Sequence, residues 1–212
     1  MSLQLDVAFL QGTLVRLEPL SLEHSAGLAL AVEEDRSSYG FTAVPRAHEV
    51  DDFIAAHLQR ASDGVMVPFA QIRLSDGKAV GCTSFFDPRT WPDRADLCAV
   101  MIGWTWLAAS AQRSGINVEA KLLLFAHAFD ELGVVRVDLS TDARNERSRR
   151  AIAALGAQFE GVLRSWSRSH APGEAGQLRD SAMFSVLATE WETVKTLLHA
   201  RLQRYVGNTV AG

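Results

Sequence analysis

Apolar residues recur along this chain with two periods, and the changes from one to the other mark its elements. Residues 12–20 alternate, with Val15 and Leu17 set against Leu14, Arg16 and Glu18 and with Pro19 closing the run, which predicts a strand. Ser21 then offers a helix cap, Glu23 and His24 fall in the first turn, and Leu22, Ala26, Ala29 and Leu30 carry a helix to about residue 35. After a loop holding Tyr39, Gly40, Phe41 and Pro45, a second helix is expected over residues 48–62. Residues 67–74 and 79–86 read as strands joined by Ser75-Asp-Gly-Lys78, a hairpin signal. Residues 96–107 place Val100, Ile102, Trp104 and Trp106 on one side and Met101 and Thr105 on the other, as a strand in mid-sheet would. Val118, Leu122, Phe125, Phe129 and Leu132 then recur at helical spacing until Gly133 stops the run.

Beyond that point the pattern predicts a strand over residues 134–141 and a helix after Asn145 with Ser148, Ala151, Ile152 and Leu155 on one face. Strands over 157–166 and 177–187 follow, then a last helix over about 190–205 carrying Trp191, Val194, Leu197, Leu198 and Leu202. The connection 167–176, rich in Gly, Ser and Pro, is too long for a tight hairpin; it reads equally as a gate or as a disordered surface loop. The last helix packs on its own domain or on a second subunit, which leaves a homodimer open.

At 212 residues with 48% hydrophobic content the chain suits a single domain, 1–212, with one core. A net charge of −4 gives no basic footprint for nucleic acid. Arg144, Arg147, Arg149 and Arg150 make a local basic cluster that reads first as a solvated helix face and second as a phosphate contact. Cys82 and Cys98 have no metal-like spacing, which argues for a reducing compartment and against a structural zinc. The sequence begins with no basic segment followed by an apolar run, and no stretch approaches the roughly 18 apolar residues of a membrane span, so a cytoplasmic protein is expected.

The stretch from Val100 to Asn117 organises the rest. Its last six residues, Gln112-Arg-Ser-Gly-Ile-Asn117, fall between a strand and a helix, where backbone N–H groups and the positive end of the helix dipole attract a phosphate. The order Ile-Gly-Trp-Thr-Trp-Leu, Gln-x-x-Gly-x-Asn, strand, Asn-x-x-Ser helix, Leu-Gly-Ala resembles the acyl-CoA-binding core of the GCN5-related N-acetyltransferases. Within them it is most similar to the branch that holds the ribosomal-protein N-terminal acetyltransferases of bacteria. The resemblance spans about residues 12–191. Gln112 and Gly115 match the family loop Gln/Arg-x-x-Gly-x-Gly/Ala, while Asn117 departs from it and is tolerated because asparagine accepts unusual backbone angles.

The resemblance implies an α/β (α+β) fold with a mixed central sheet of about six or seven strands flanked by helices and an extra C-terminal helix. It implies an acetyl-CoA-dependent N-acetyltransferase acting by direct attack of a primary amine, either a protein N-terminus or a small molecule. Coenzyme A would be held by Gln112, Arg113, Ser114, Gly115, Ile116 and Asn117 at the diphosphate, by Trp106 and Leu107 along the pantetheine, and by Asn145 and Ser148. Many relatives protonate the departing thiolate with a tyrosine that residues 145–156 lack, and in the ribosomal-protein branch a serine stands there, so Ser148 takes that role or simply bonds its own helix backbone. Asp180, Glu119 and Asp96 are the candidate bases, each weighed against an ordinary surface carboxylate. Tyr39 and Phe41 read substrate or anchor their loop, and His127 reads as a packed residue.

Two other readings stand beside the enzyme: a non-catalytic acyl-CoA-binding domain that kept the fold, and a dinucleotide binder. The second lacks the further glycines and the acidic residue its loop requires.

Overall fold

The computed structural model describes Val7, residues 9–93 and residues 96–206. Among these residues eight strands form one sheet: β1 (Leu10–Gln11), β2 (Val15–Pro19), β3 (Met66–Arg73), β4 (Lys78–Thr90), β5 (Leu97–Leu107), β6 (Arg136–Asp142), β7 (Gln158–Arg168) and β8 (Leu178–Leu187). Their order is β1-β2-β3-β4-β5-β6-β8-β7. Seven of these strands are the expected ones, and the eighth, β1, is two residues long and carries no alternation to read. Five helices flank the sheet: α1 (Ser25–Val32), α2 (Val50–Ser62), α3 (Ile116–Ala126), α4 (Glu146–Ala153) and α5 (Trp191–Val206). No helix among the described residues is long and apolar enough to cross a membrane.

Every neighbouring pair of strands is antiparallel except β5 and β6, which a helical crossover through α3 makes parallel. That pair is short. Ala99, Val100 and Met101 face Arg136, Val137 and Asp138, and pairing ends there. From Ile102 onward β5 follows β4 to the Gly81–Leu107 pair, while β6 follows β8 to the Asp142–Ser181 pair. The sheet therefore opens between two of its central strands.

A bulge sharpens the opening. Cys82 pairs with Trp106 and Ser84 with Gly103, so β5 has one residue more than β4 between these points, and Trp104 adopts φ 51°. Gly81 must stay glycine, because a Cβ there would lie 2.1 Å from the Trp106 carbonyl oxygen. Beyond the bulge the side chains part to opposite faces: Trp104 and Trp106 meet His57 and Tyr39, and Thr105 meets α3.

α3 is buried almost all round, with Ile116, Val118, Leu122, Leu124 and Phe125 in the core. Two of its buried residues are charged types. Glu119 accepts hydrogen bonds from Thr13 N at 2.8 Å, Thr13 Oγ1 at 2.8 Å, Leu14 N at 2.7 Å and Val15 N at 2.8 Å, and so fixes the β1–β2 turn on the helix. Lys121 is 4% exposed and reaches Thr105 Oγ1 at 2.7 Å and Thr83 Oγ1 at 3.0 Å. Burial alone brings its amine down to about 7.

The helix does not run straight to Leu132. It ends as an α-helix at Ala126 and continues as one π turn, His127–Glu131, in which Leu132 N donates to His127 O at 3.0 Å. The turn presents Asp130 to α5, where Trp191 Nε1 and Lys195 Nζ donate to it at 2.7 and 2.9 Å, and Phe129 stacks on Trp191 with ring centres 5.5 Å apart. α5 thus packs on its own domain, with Trp191, Val194, Leu198 and Leu202 buried.

Two outcomes test this packing. Glu119→Gln leaves backbone donors of the β1–β2 turn under-satisfied, and urea unfolding should show a loss of about 2–3 kcal/mol. A buried base whose folded value lies below its ordinary one opposes folding wherever it must be charged, so stability gains as pH climbs from about 7 toward the ordinary lysine range. In a comparison of the wild type with Lys121→Met, the wild type's unfolding free energy should rise relative to the variant's by about 1.4 kcal/mol per pH unit across that window.

Candidate active site

The opening between β5 and β6 leads into a cleft of about 330 Å³. One wall is the end of β5, with Thr105, Trp106 and Leu107; another is the loop and first turn of α3, with Gln112, Arg113, Gly115, Asn117 and Val118. α4 contributes Arg147, Ser148 and Ala151, with its cap Asn145, and the segment before α2 contributes Ser38, Tyr39 and Thr42. α5 closes the remaining side with Arg201 and Tyr205.

The loop takes its shape from two left-handed residues, Arg113 at φ 61° and Gly115 at φ 88°. A Cβ at Gly115 would meet Leu14 Cδ1 at 2.8 Å and Tyr205 Cγ at 2.9 Å, so the missing side chain also lets α5 rest on the loop. Gly115 is the N-cap of α3 and no side chain caps the helix there. The first-turn amides of such a helix lack intrahelical partners and favour an anion.

Gln112 ties the walls together. Its Nε2 donates to Leu107 O at 2.9 Å and to Ser38 Oγ at 3.0 Å, and its Oε1 accepts from Arg147 Nη2 at 2.6 Å. Leu107 O also accepts from the Tyr39 hydroxyl at 2.9 Å, and burial pushes that phenol up to about 12. Tyr39 is therefore an anchor of its loop, and Phe41 is another, its ring 5.1 Å from the Arg144 guanidinium.

The cleft is cationic in an acidic protein. Arg113, Arg147 and Arg201 line it, and among the described residues no carboxylate does. Arg201 donates to Ala154 O, which bridges α5 to the end of α4. A lining of guanidiniums with an uncapped helix start suits a polyanion such as the diphosphate of coenzyme A. Trp106 Nε1 is a buried donor on the same wall without a hydrogen-bond partner among the described residues.

Of the residues expected at the site, Trp106, Leu107, Gln112, Arg113, Gly115, Asn117, Asn145 and Ser148 meet at the cleft. Asn145 Oδ1 accepts from Ser148 N at 3.0 Å, so it caps α4 while facing the cleft. Ser114 and Ile116 do not line it: Ser114 Oγ donates to Ala111 O at 2.6 Å, and Ile116 is 2% exposed in the core. Glu119 and Asp180 are likewise away from it. Both Glu119 oxygens are engaged by residues 13–15, and Asp180 Oδ1 accepts from Ser165 N at 2.8 Å, closing the bulge of β7. Asp96 also lies outside the lining.

The 169–177 connection is an ordered turn rather than a loose loop. Ser169 N donates to Gln177 O at 2.9 Å, and Arg144 grips Glu174 with two bonds of 2.7 and 2.8 Å, which hold that carboxyl at about 2. Sequence reasoning did not place Thr105, Lys121, Arg201 or Tyr205 at the site. The one available signal was Lys121 itself, a charged residue within an apolar helical stripe.

Comparison with known proteins agrees with this geometry. Residues 15–158 match the family model of the acetyltransferase (GNAT) domain. A T. thermophilus protein assigned as an acetyltransferase is 34% identical over 93% of this chain and 98% of its own, with a TM-score of 0.77. A GCN5-related N-acetyltransferase from Brucella melitensis is 28% identical over 92% of this chain and 85% of its own, also at 0.77. Mycobacterium smegmatis RimJ, solved in complex with CoA-disulfide, shares the fold at 20% identity, 88% coverage of both chains and a TM-score of 0.70. Among curated proteins no sequence matches. The matched segment takes in the strand, loop and helices α3 and α4 that build most of the cleft, and on it the chain belongs to the GNAT acetyltransferase family.

Proposed function

We propose that the protein transfers an acetyl group from acetyl-CoA to a primary amine, which is either a protein N-terminus or a small molecule. The observation that carries this is the cleft itself: an opening in mid-sheet whose inner end is the stretch of β5 that β6 leaves unpaired and whose outer end is cationic and uncapped. The likeness to RimJ, which was solved with CoA-disulfide, supports the same cofactor here. When bound, acetyl-CoA would supply the acetyl group already activated as a thioester.

The chain's own residues then have distinct tasks. The amides at the start of α3, with Arg113, Arg147 and Arg201, take the phosphates. The end of β5 at Trp106 and Leu107, which β6 does not pair and whose Leu107 O is held by Tyr39 and Gln112, lies along the pantetheine arm and positions the thioester. Ser148, near the start of α4, donates a hydrogen bond toward the departing sulfur, and Asn145 holds its helix turn. A cytoplasmic setting fits the two unbonded thiols, Cys82 and Cys98.

Calorimetry with coenzyme A should give a binding signal that Arg147→Ala weakens about tenfold or more and that added salt weakens further. No binding at millimolar coenzyme A would sink the proposal. With an accepted amine, Ser148→Ala should lower kcat about tenfold at nearly constant KM, read by thiol release, since a donor that acts only on the departing sulfur adds nothing to ground-state binding.

A further inference from the structure

With Glu119 and Asp180 away from the cleft, the proton that an attacking ammonium must lose has no destination among lining carboxylates, because the described residues supply none. One basic group lies behind the wall. Lys121 Nζ is 2.7 Å from Thr105 Oγ1, and Thr105, half-buried, faces the cleft. Thr83 Oγ1 lies 3.0 Å from the same nitrogen and 2.9 Å from Thr105 Oγ1, so the amine is held by two hydroxyls.

Resting on the acetyl-transfer reading above, we infer that Lys121 is the proton acceptor of the reaction, reached through the hydroxyl of Thr105. The ammonium of the acceptor gives a proton to Thr105 Oγ as the hydrogen of that hydroxyl passes to Nζ of Lys121. The acceptor is left with a free electron pair for the new N–C bond, and Lys121 with the positive charge. The proton returns through Thr105 to the cleft, where it leaves with the thiol or to water, and the lysine is neutral again.

Three observations support the inference. First, both polar neighbours of the amine are hydroxyls, which accept from it when it is charged and can donate to it when it is neutral, so the site holds either form; Thr105 Oγ1 also donates to Gly103 O at 3.3 Å. Second, no opposite charge among the described residues holds it protonated. β5 brings only Cys98 as an ionisable group, and Cys82 on β4 is a thiol pushed up by burial. Arg16 and Glu18 on β2 bond each other, Glu119 on α3 is engaged by residues 13–15, and His127 is pulled down by burial. From α5, Lys195 is bound to Asp130 and Arg201 to Ala154 O.

The third observation is the residue type. The chain has 21 lysines and arginines, and its only lysines are Lys78, Lys121 and Lys195. Arginine cannot give up its proton within a protein, and the position buried behind the cleft is one of the three that can. A base near neutrality is also where general-base assistance is most effective.

Three lysines make the direct test simple. In protein labelled with 13C at lysine Cε, Lys121→Met identifies the Lys121 resonance, which should titrate near neutral pH while the other two titrate in the ordinary range. The pH profile of kcat/KM, followed by thiol release, should bend at that same midpoint. Lys121→Met should lose the bend and about a hundredfold in rate at pH 7, while coenzyme A binding and thermal unfolding show it folded. Thr105→Val should lose the rate with the lysine resonance still present, and Thr105→Ser should restore most of it.

A Lys121 resonance that titrates in the ordinary range, or a Lys121→Met enzyme that keeps the bend, overturns the inference. If Lys121→Met fails to fold, the Thr105 pair decides, since a purely structural lysine predicts no difference between Val and Ser in the pH profile. Wild-type protein that binds coenzyme A but releases no thiol with any amine would remove the acetyl-transfer reading, and this inference with it. A failed pH profile in an active enzyme removes only the inference.

Discussion

Backbone hydrogen bonding in a sheet leaves each strand two edges, and the protein depends on how β5 and β6 use theirs. After three parallel pairs each strand is claimed by its antiparallel neighbour, β4 on one side and β8 on the other. The inner edges from Ile102 to Leu107 and beyond Asp138 are left facing each other across a gap that neither can close. The bulge at Trp104 adds to the divergence. The gap between them is bridged in part by side chains, since Leu107 O at its mouth accepts from Tyr39 and Gln112, and the rest of it is open to a ligand.

What surrounds the gap differs at its two ends. Toward solvent, Gln112 links the β5 terminus, the 38–42 segment and Arg147, so the cationic end of the cleft is braced by one amide side chain. Its guanidiniums stand in a protein of net charge −4, which keeps the local field positive without making the whole surface sticky to polyanions. Toward the interior, the wall is backed by α3 and by the Lys121–Thr105–Thr83 cluster, where a lone ionisable group sits among hydroxyls. The same helix thus presents its amide end to the cleft and a basic side chain behind it.

Much of this was legible in the chain. Alternation and apolar runs bounded by turn residues marked seven strands, although β3, β4 and β5 are buried on both faces along much of their length and β7 has no buried residue, and helical spacing found α3 because its core residues recur every three or four positions. The loop Gln112–Asn117 announced itself through glycine and its place between two strong periodicities. The rest was hidden for physical reasons. β1 is too short to have a period, and the π turn at His127–Glu131 slips the helix by one residue while Phe129 stays buried. A carboxylate such as Glu119 looks the same in sequence whether it faces solvent or clasps four donors from residues more than a hundred positions away. Arg201 and Tyr205 could not be tied to the cleft because only the folded position of α5 brings them there.

That last placement bears on how the molecule behaves when it is loaded. The cleft draws its walls from residues 38–42, 105–118, 145–151 and 201–205, segments separated by most of the chain. Whatever seats there bridges them at once, so its affinity is shared by the whole fold rather than by one loop. Amide exchange should accordingly slow along α5, remote in sequence from the 112–117 loop, as much as along α3, and a protease that trims the last turns of α5 would find the occupied form closed to it.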